Sequence, residues 1–342
     1  MVYTTRVLKL LILGGSSFVG RAVVEDALVR GWEVTTFNRG ETGDARPDVT
    51  RVLGDRLEPR DVAKLAGSRW DLAVDTWAGA PRAARDSAAL LADRVGHYVY
   101  VSSTSVYTPP PPVDGDESDA TVDASPDAES GEYAQRKRGA EIAIKDRFGD
   151  RALFARSGLI LGPWEDVGRL PWWLLRLERG GDVLAPGPPK RPLQFIDVRD
   201  LARWLLDSGR DHRSGAFNVV ARPGHATTQS LLEACRAVTG GDASLVWVDP
   251  DAIEAAGIEP WTELPIWLPP DHEYRGLHAV GVDRAHAAGL RCRPSSETIR
   301  DTWQWLVSID RCPPLRTDLP PLGVTPDRER AVLGPPFESL RL

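Results

Sequence analysis

The sequence predicts an α/β protein built on a doubly wound parallel sheet. Three observations carry that prediction. Short apolar runs alternate with helical patterns through the first half of the chain. The first run enters a glycine-rich turn and a helical pattern follows at once. Glycine, serine and single charged residues gather where the runs end, which is where such sheets bind ligands.

The first strand is predicted at residues 7–13, ahead of Gly14-Gly15-Ser16-Ser17-Phe18-Val19-Gly20. Val19, Val23, Ala27 and Leu28 then share one helix face. Strand, tight turn and helix form the setting a dinucleotide-binding turn needs. Gly14 can take angles that a Cβ forbids, and Gly20 lets the helix approach the strand. The helix start offers free N–H groups to phosphates. The usual middle glycine is Ser17 here, which keeps the site small. A second strand at 33–37 ends in Asn38-Arg39. An acid here would suit the ribose of NAD, whereas a guanidinium suits the extra phosphate of NADP. NADP is therefore expected, with NAD as the other choice; Arg39 also reads as an ordinary surface arginine.

A third strand at 51–55 ends in Asp55, a candidate for the adenine amino group or for a helix N-cap near Glu58. The fourth, at 72–75, runs into Trp77-Ala78-Gly79, small enough at 78 and 79 for a cofactor to pass. A helix over 81–95 precedes a fifth strand at 97–101, which continues into Ser102-Ser103-Thr104. Residues 109–132 hold eight acidic residues and no basic one, and predict a solvated, mobile loop without metal-ligand spacing. Tyr133 and Lys137 follow on one face of a helix. An adjacent ammonium would make the phenol ionise more readily and suit it to acid/base work on a carbonyl–alcohol pair.

The chain has 342 residues, 42% of them hydrophobic, which allows two packed units or one large domain with an added lobe. The net charge of -7 argues against nucleic acid or anionic membrane as partner. The apolar run 10–13 is too short for a signal peptide, and no stretch approaches a membrane span. Cys235, Cys292 and Cys312 are scattered, fit a reducing cytoplasm, and read as buried thiols.

In the second half, helices are expected at 197–208 and 227–238 around a strand at 216–220. Twelve tryptophans are many for this length. Trp303 and Trp305 read as core; Trp164, Trp172, Trp261 and Trp267 read equally as core or as pocket lining. His225, His272 and His278 read as surface residues before they read as acid/base groups. The stretch from Pro313 is rich in proline and arginine and is expected to wrap the surface or stay disordered.

Five blocks together resemble the extended short-chain dehydrogenase/reductase family, also called NAD-dependent epimerase/dehydratases. They are the glycine turn, Ser102-Ser103 ahead of Val106-Tyr107, Tyr133-x-x-x-Lys137, residues 156–163 from Arg156, and residues 194–202 from Gln194. The resemblance spans about residues 7–307. It implies a Rossmann-like doubly wound parallel sheet with a smaller mixed α/β substrate lobe. The divisions expected are 1–160, 161–312 and a tail at 313–342. It also implies Tyr133 as acid/base, Ser103 as the group that holds the substrate oxygen, and Lys137 as the partner of the nicotinamide ribose. The expected cofactor-binding set is the turn with Asn38, Arg39, Asp55, Trp77, Ala78, Gly79, Ser102, Lys137 and Arg156. Thr104, Trp164, Trp172, Arg191, Gln194, Trp261 and Arg275 are expected on the substrate side.

The departures are informative. Thr104 and Ser105 stand where sugar-nucleotide dehydratases carry an Asp-Glu pair, and Leu193 stands where epimerases place a diphosphate arginine. These traits look like the divergent branch that includes chloroplast stem-loop-binding proteins. The implied function is an NADP(H)-dependent oxidoreductase of a small carbonyl or secondary alcohol, acting as monomer or homodimer in the cytoplasm. A cofactor-retaining epimerase is the alternative, and a non-catalytic or RNA-binding relative a further one.

Overall fold

The computed structural model describes residues 6–43 and 46–334. Its first half holds β1 (Lys9–Leu13), β2 (Glu33–Asn38), β3 (Thr50–Leu53), β4 (Trp70–Asp75), β5 (Val95–Ser103) and β6 (Ala152–Ser157). Between them lie α1 (Phe18–Val29), α2 (Pro59–Val62), α3 (Pro81–Leu91) and α4 (Tyr133–Phe148). Then come β7 (Leu159–Leu161), α5 (Arg169–Glu178), β8 (Asp182–Pro186), β9 (Pro192–Leu193), β10 (Phe195–Asp197), α6 (Val198–Arg210) and β11 (Gly215–Val219). β12 (Ala226–Thr227), α7 (Thr228–Thr239), β13 (Ser244–Val248), α8 (Pro250–Ala255), β14 (Pro260–Trp261) and β15 (Leu264–Pro265) follow. α9 (Asp283–Ala287), α10 (Ser295–Ser308) and α11 (Pro326–Leu333) close the described chain.

Seven strands form one parallel sheet in the order β11-β6-β5-β4-β1-β2-β3. The order reverses between β1 and β4, so their carboxyl ends open a crevice at the switch point. This is the Rossmann-like sheet that the sequence predicts. One apolar core packs α1 and α6 on one face, around Leu10, Val23, Val99 and Leu205. A second packs α3 and α4 on the other, around Leu11, Ala84, Tyr98 and Ile144. A third core joins α5, α7 and α10 around Leu174, Leu232 and Leu306.

Local predictions miss where strand pairing extends an element. α3 stops at Leu91 instead of 95, because β5 begins at Val95 to pair with Trp70. β5 runs on to Ser103, since Ser102 and Ser103 lie in register with Arg156 and Ser157. The acidic loop is pinned. The Thr108 N–H donates to the Ala120 carbonyl and the Val122 N–H to the Val106 carbonyl across its base, and the Asp114 N–H donates to the Ala279 carbonyl at 2.6 Å. Glu117 accepts the Asn218 N–H at 2.7 Å.

Trp305 is buried and Trp303 packs against the third core, as expected. Trp267 is also core, with its indole N–H on the Gly187 carbonyl. His278 is a correction. It is buried, bonded to Ile266 and Gln194, and burial pushes its pKa down to about 4. Cys312 is exposed, against the expectation of a buried thiol. The tail wraps the surface and forms α11, while residues 335–342 lie outside the described part. Among the described residues no helix is long and apolar enough to cross a membrane, and no group of metal-ligating side chains forms.

Candidate active site

The turn between β1 and α1 has the shape its glycines require. Gly14 and Gly15 have φ of +123° and +97°. A Cβ on Gly20 would stand 2.5 Å from the Gly15 nitrogen, so only glycine lets α1 begin here. Ser17 is the N-cap and makes no side-chain cap bond, which leaves the first N–H groups of α1 uncapped by it. Ser16 bonds Thr42 at 2.7 Å. Phe18 and Val19 pack on the core, so they contribute backbone only.

Asn38 has a structural task at the end of β2. Its amide donates to the Gly14 carbonyl at 3.0 Å and its oxygen accepts the Gly40 N–H. Arg39 is exposed and pairs with Glu41 at 3.0 Å. Arg51, from β3, reaches the same edge, its guanidinium 3.4 Å from where a Gly40 Cβ would stand. Its place beside Arg39 follows from strand order, which its position in the sequence does not reveal. Asp55 is neither N-cap nor free: one oxygen accepts the Leu57 N–H at 2.8 Å, and the N-cap of α2 is Glu58.

Below the crevice, Asp75 and Arg56 form a buried bidentate pair at 2.5 and 2.6 Å. Burial opposes the Asp75 charge, but Arg56 outweighs it and holds the carboxyl below its usual range. Asp75 also accepts the Trp77 N–H at 2.9 Å. The Trp77 indole folds over Gly79 and donates to the Ala80 carbonyl. Ala78 and Gly79 are half-buried at the strand end. The Trp77 carbonyl then receives two donors, Lys137 Nζ at 2.6 Å and the Tyr100 hydroxyl at 2.9 Å.

Lys137 is buried and its second bond goes to the Val101 carbonyl at 2.7 Å. Two of its three donors are used, which leaves one for a ligand. Burial pushes its pKa down to about 7, against the pull of Asp75. A sign follows for stability. The unfolded lysine keeps its proton to about pH 10.4, while the folded one releases it near 7. Between those values the unfolded state binds more protons, so this group makes stability rise with pH. Lys137→Met should therefore be more stable than the wild type at pH 6, by about 1–3 kcal/mol after the lost hydrogen bonds are deducted. Chemical denaturation should show that gap shrinking by pH 9.5; a constant gap would contradict a buried ammonium.

Tyr133 opens α4, behind the N-cap Glu132 and its capping box with Gln135. The residue is 43% exposed, yet its hydroxyl end is packed, and desolvation raises the phenol pKa. Hydrogen bonding with Ser103 lowers it, followed by the charges of Arg169, Arg316 and Arg136. Desolvation outweighs these, and the net shift is upward. This corrects the expectation of an easily ionised tyrosine. Ser103 is buried at the end of β5, and its Oγ lies 3.1 Å from that of Ser105.

Three predicted ligand contacts are internal instead, and a fourth residue is buried. Ser102 donates to Glu141 at 2.7 Å, and Arg156 forks onto the same carboxylate with two bonds of 3.0 Å. Arg156 also bonds the Tyr107 hydroxyl. Thr104 is buried in a single 3-10 turn. Gln194 is fully buried, with its amide on the Ala221 and Val280 carbonyls at 2.8 Å and its oxygen on the Val280 N–H. Ser102, Arg156 and Gln194 thereby pair with buried polar groups that would otherwise be unsatisfied.

Trp164 spans the two halves. It stacks on Arg21 of α1, 3.6 Å from guanidinium carbon to ring centre, and against Trp305 at 5.5 Å. Trp172 packs on Trp173 and on Gly323. Trp261 lies within 6.0 Å of the Arg169 guanidinium. Arg191 bonds the Leu268 and Pro269 carbonyls, and burial and the nearby Arg275 push its pKa down. Among the described residues no hydrogen bond joins Arg191 or exposed Arg275 to Ser103, Tyr133 or Lys137. Sequence reasoning missed Glu141, Asp75, Arg56, Arg169 and Arg316, whose roles depend on partners far away in the chain.

Residues 84–219 match the model of the NAD dependent epimerase/dehydratase family. No curated protein matches the chain in sequence. Several solved structures share the fold of this chain. A UDP-N-acetylglucosamine 4-epimerase from Methanobrevibacter ruminantium, in complex with UDP-N-acetylmuramic acid, has a TM-score of 0.67 at 18% identity, covering 89% of this chain and 100% of that one. A putative epimerase from Burkholderia cenocepacia has 0.65 at 21%, covering 89% and 98%. The UDP-glucose 4-epimerase of Thermus thermophilus, complexed with NAD, has 0.63 at 19%, covering 88% and 99%.

The crevice suits a nicotinamide dinucleotide. The turn leaves no room for side chains, the start of α1 offers N–H groups, and Lys137 keeps one unused donor at the strand ends.

Proposed function

We propose that this epimerase/dehydratase-family chain is an NADP(H)-dependent oxidoreductase acting on a carbonyl or secondary alcohol. The observation that supports it best is the grouping of Ser103, Tyr133 and Lys137 at the strand ends beside the glycine turn. When bound, the nicotinamide would supply or accept the hydride. Tyr133 carries the proton for the substrate oxygen, and its raised pKa keeps it an acid at neutral pH, which favours reduction. Ser103 orients that oxygen. Lys137 gives its remaining donor to the cofactor ribose, while the Trp77 and Val101 carbonyls fix its ammonium. Oxidation of NADPH over a panel of ketones and keto-sugars tests the reading; no turnover of any member would overturn it.

The absence of an acid at position 38, with Arg39 and Arg51 on one edge, supports NADP over NAD. Arg39→Ala should weaken NADPH roughly 10-fold or more, since a hydrogen bond to a charged group contributes about 1.5–3 kcal/mol. NADH should change little. Fluorescence titration with both cofactors checks this, and equal losses would remove the basis for the choice.

A cofactor-retaining epimerase is the second reading, favoured by the family match and by the epimerases that share the fold. Turnover without added nicotinamide would select it. A small-molecule substrate, a reducing cytoplasm and a monomer or homodimer complete the proposal, with no nucleic-acid or membrane partner.

A further inference from the structure

The chain after α10 runs back over the third core, and the stretch 313–324 is fastened along its length. The Arg316 N–H donates to the Asp166 carbonyl at 2.8 Å. Leu315 fills the space above Gly168, 2.8 Å from where a Cβ would stand. The Gly323 N–H donates to the Thr262 carbonyl at 2.8 Å, and Gly323, at φ +97°, lies so close to the Trp172 indole that no Cβ fits. α11 locks the far end. Its buried Glu329 pairs with Arg176 at 2.7 Å and accepts the Leu184 N–H. The strap is thus seated on Asp166 and Gly168, just ahead of α5 and its first residue Arg169.

The charges of three arginines on three elements act on the Tyr133 phenol: Arg136 from α4, Arg169 from α5 and Arg316 from the strap, whose N–H on the Asp166 carbonyl seats it three residues before Arg169. Three carboxylates share the neighbourhood. Glu165 is fully buried and caps α5 by accepting the Arg169 and Leu170 N–H groups at 2.8 and 3.2 Å, with the Arg169 guanidinium 3.6 Å away. Burial pushes Glu165 up to about 7, so it neutralises the arginines weakly, and burial raises Asp166 as well. Asp318 pairs with Arg316 at 2.6 Å, with its side chain 66% exposed. Exposed pairs of that kind contribute little and exchange readily with a ligand.

We propose that the strap completes the substrate site, where Arg316 and Arg169 together hold an oxoanion of the substrate close to the group that Tyr133 protonates. The chemistry is a carboxylate or a phosphate, which a guanidinium fork grips with paired hydrogen bonds. The inference rests on Tyr133 as the acid. Asp318 occupies the fork until substrate arrives.

Calorimetric titration of oxalate and of inorganic phosphate into the full chain, with and without NADP, tests it. The wild type binds at least one of the two, and the tighter one names the source of the oxoanion. Arg316→Gln and Arg169→Gln each weaken binding at least tenfold, while Asp318→Asn strengthens it severalfold. Arg316→Lys, which keeps the charge but loses the fork, falls between. Arg222→Gln, at an exposed arginine outside the strap, leaves binding unchanged. No binding of either anion by the wild type, or full binding by both glutamine variants, would overturn the proposal. Tyr133→Phe separates the two claims: it retains anion binding, so retained turnover in that variant sinks the acid assignment and leaves the anion site standing.

Discussion

Tyr133→Phe lowers turnover by about 10²–10⁴-fold, the range a single general acid contributes, and leaves cofactor affinity nearly unchanged. On the proposed mechanism, removal of the hydroxyl takes away the proton destined for the substrate oxygen. The ring remains, so the start of α4 and its capping box should persist. Lys137 is held by the Trp77 and Val101 carbonyls rather than by Tyr133, so its place does not depend on the phenol. Stopped-flow oxidation of NADPH, beside a cofactor titration, separates the effects. Loss of cofactor binding in proportion to turnover would mean that Tyr133 acts on the dinucleotide and not on the substrate.

Glu141→Ala is expected to destabilise the protein by about 3–5 kcal/mol, the cost of breaking a buried ion pair from one side. Glu141 on α4 joins Ser102 on β5 and Arg156 on β6, and accepts from Arg138 as well. Burial works against the Arg156 guanidinium, and Glu141 outweighs it to hold that pKa above its usual value. Loss of the carboxylate strands a buried cation and an unsatisfied hydroxyl. It also frees α4 from β5, the pair of elements that sets Ser103 against Tyr133. The double substitution Glu141→Gln with Arg156→Met should recover more than half of the loss, because both charges then go together. Denaturant unfolding of the single and double variants checks this. A loss below about 1 kcal/mol in Glu141→Ala would be the value of an exposed pair and would contradict the network.

The sheet was legible in the sequence because its signals are local. Apolar runs such as 10–13, 72–74 and 97–101 are strands whatever surrounds them. Gly14, Gly15 and Gly20 report backbone angles and a close approach that belong to one short turn. Tyr133 and Lys137 share a helix face, so their spacing alone pairs them. The sequence by itself thus determined the sheet, the turn and three candidate side chains.

Tertiary structure decided which polar groups are free to act. Ser102, Arg156 and Gln194 read as ligand contacts, but each is spent on a partner 15 to 86 residues away. Arg316 lies in a tail whose sequence allows it to wrap the surface or stay disordered, and its charge acts on Tyr133 only because the chain returns across α5. The sign of the Tyr133 shift was misjudged for the same reason. Helical spacing reports that two residues lie near each other, whereas an ionisation depends on desolvation and on every charge within reach, and those are set by packing.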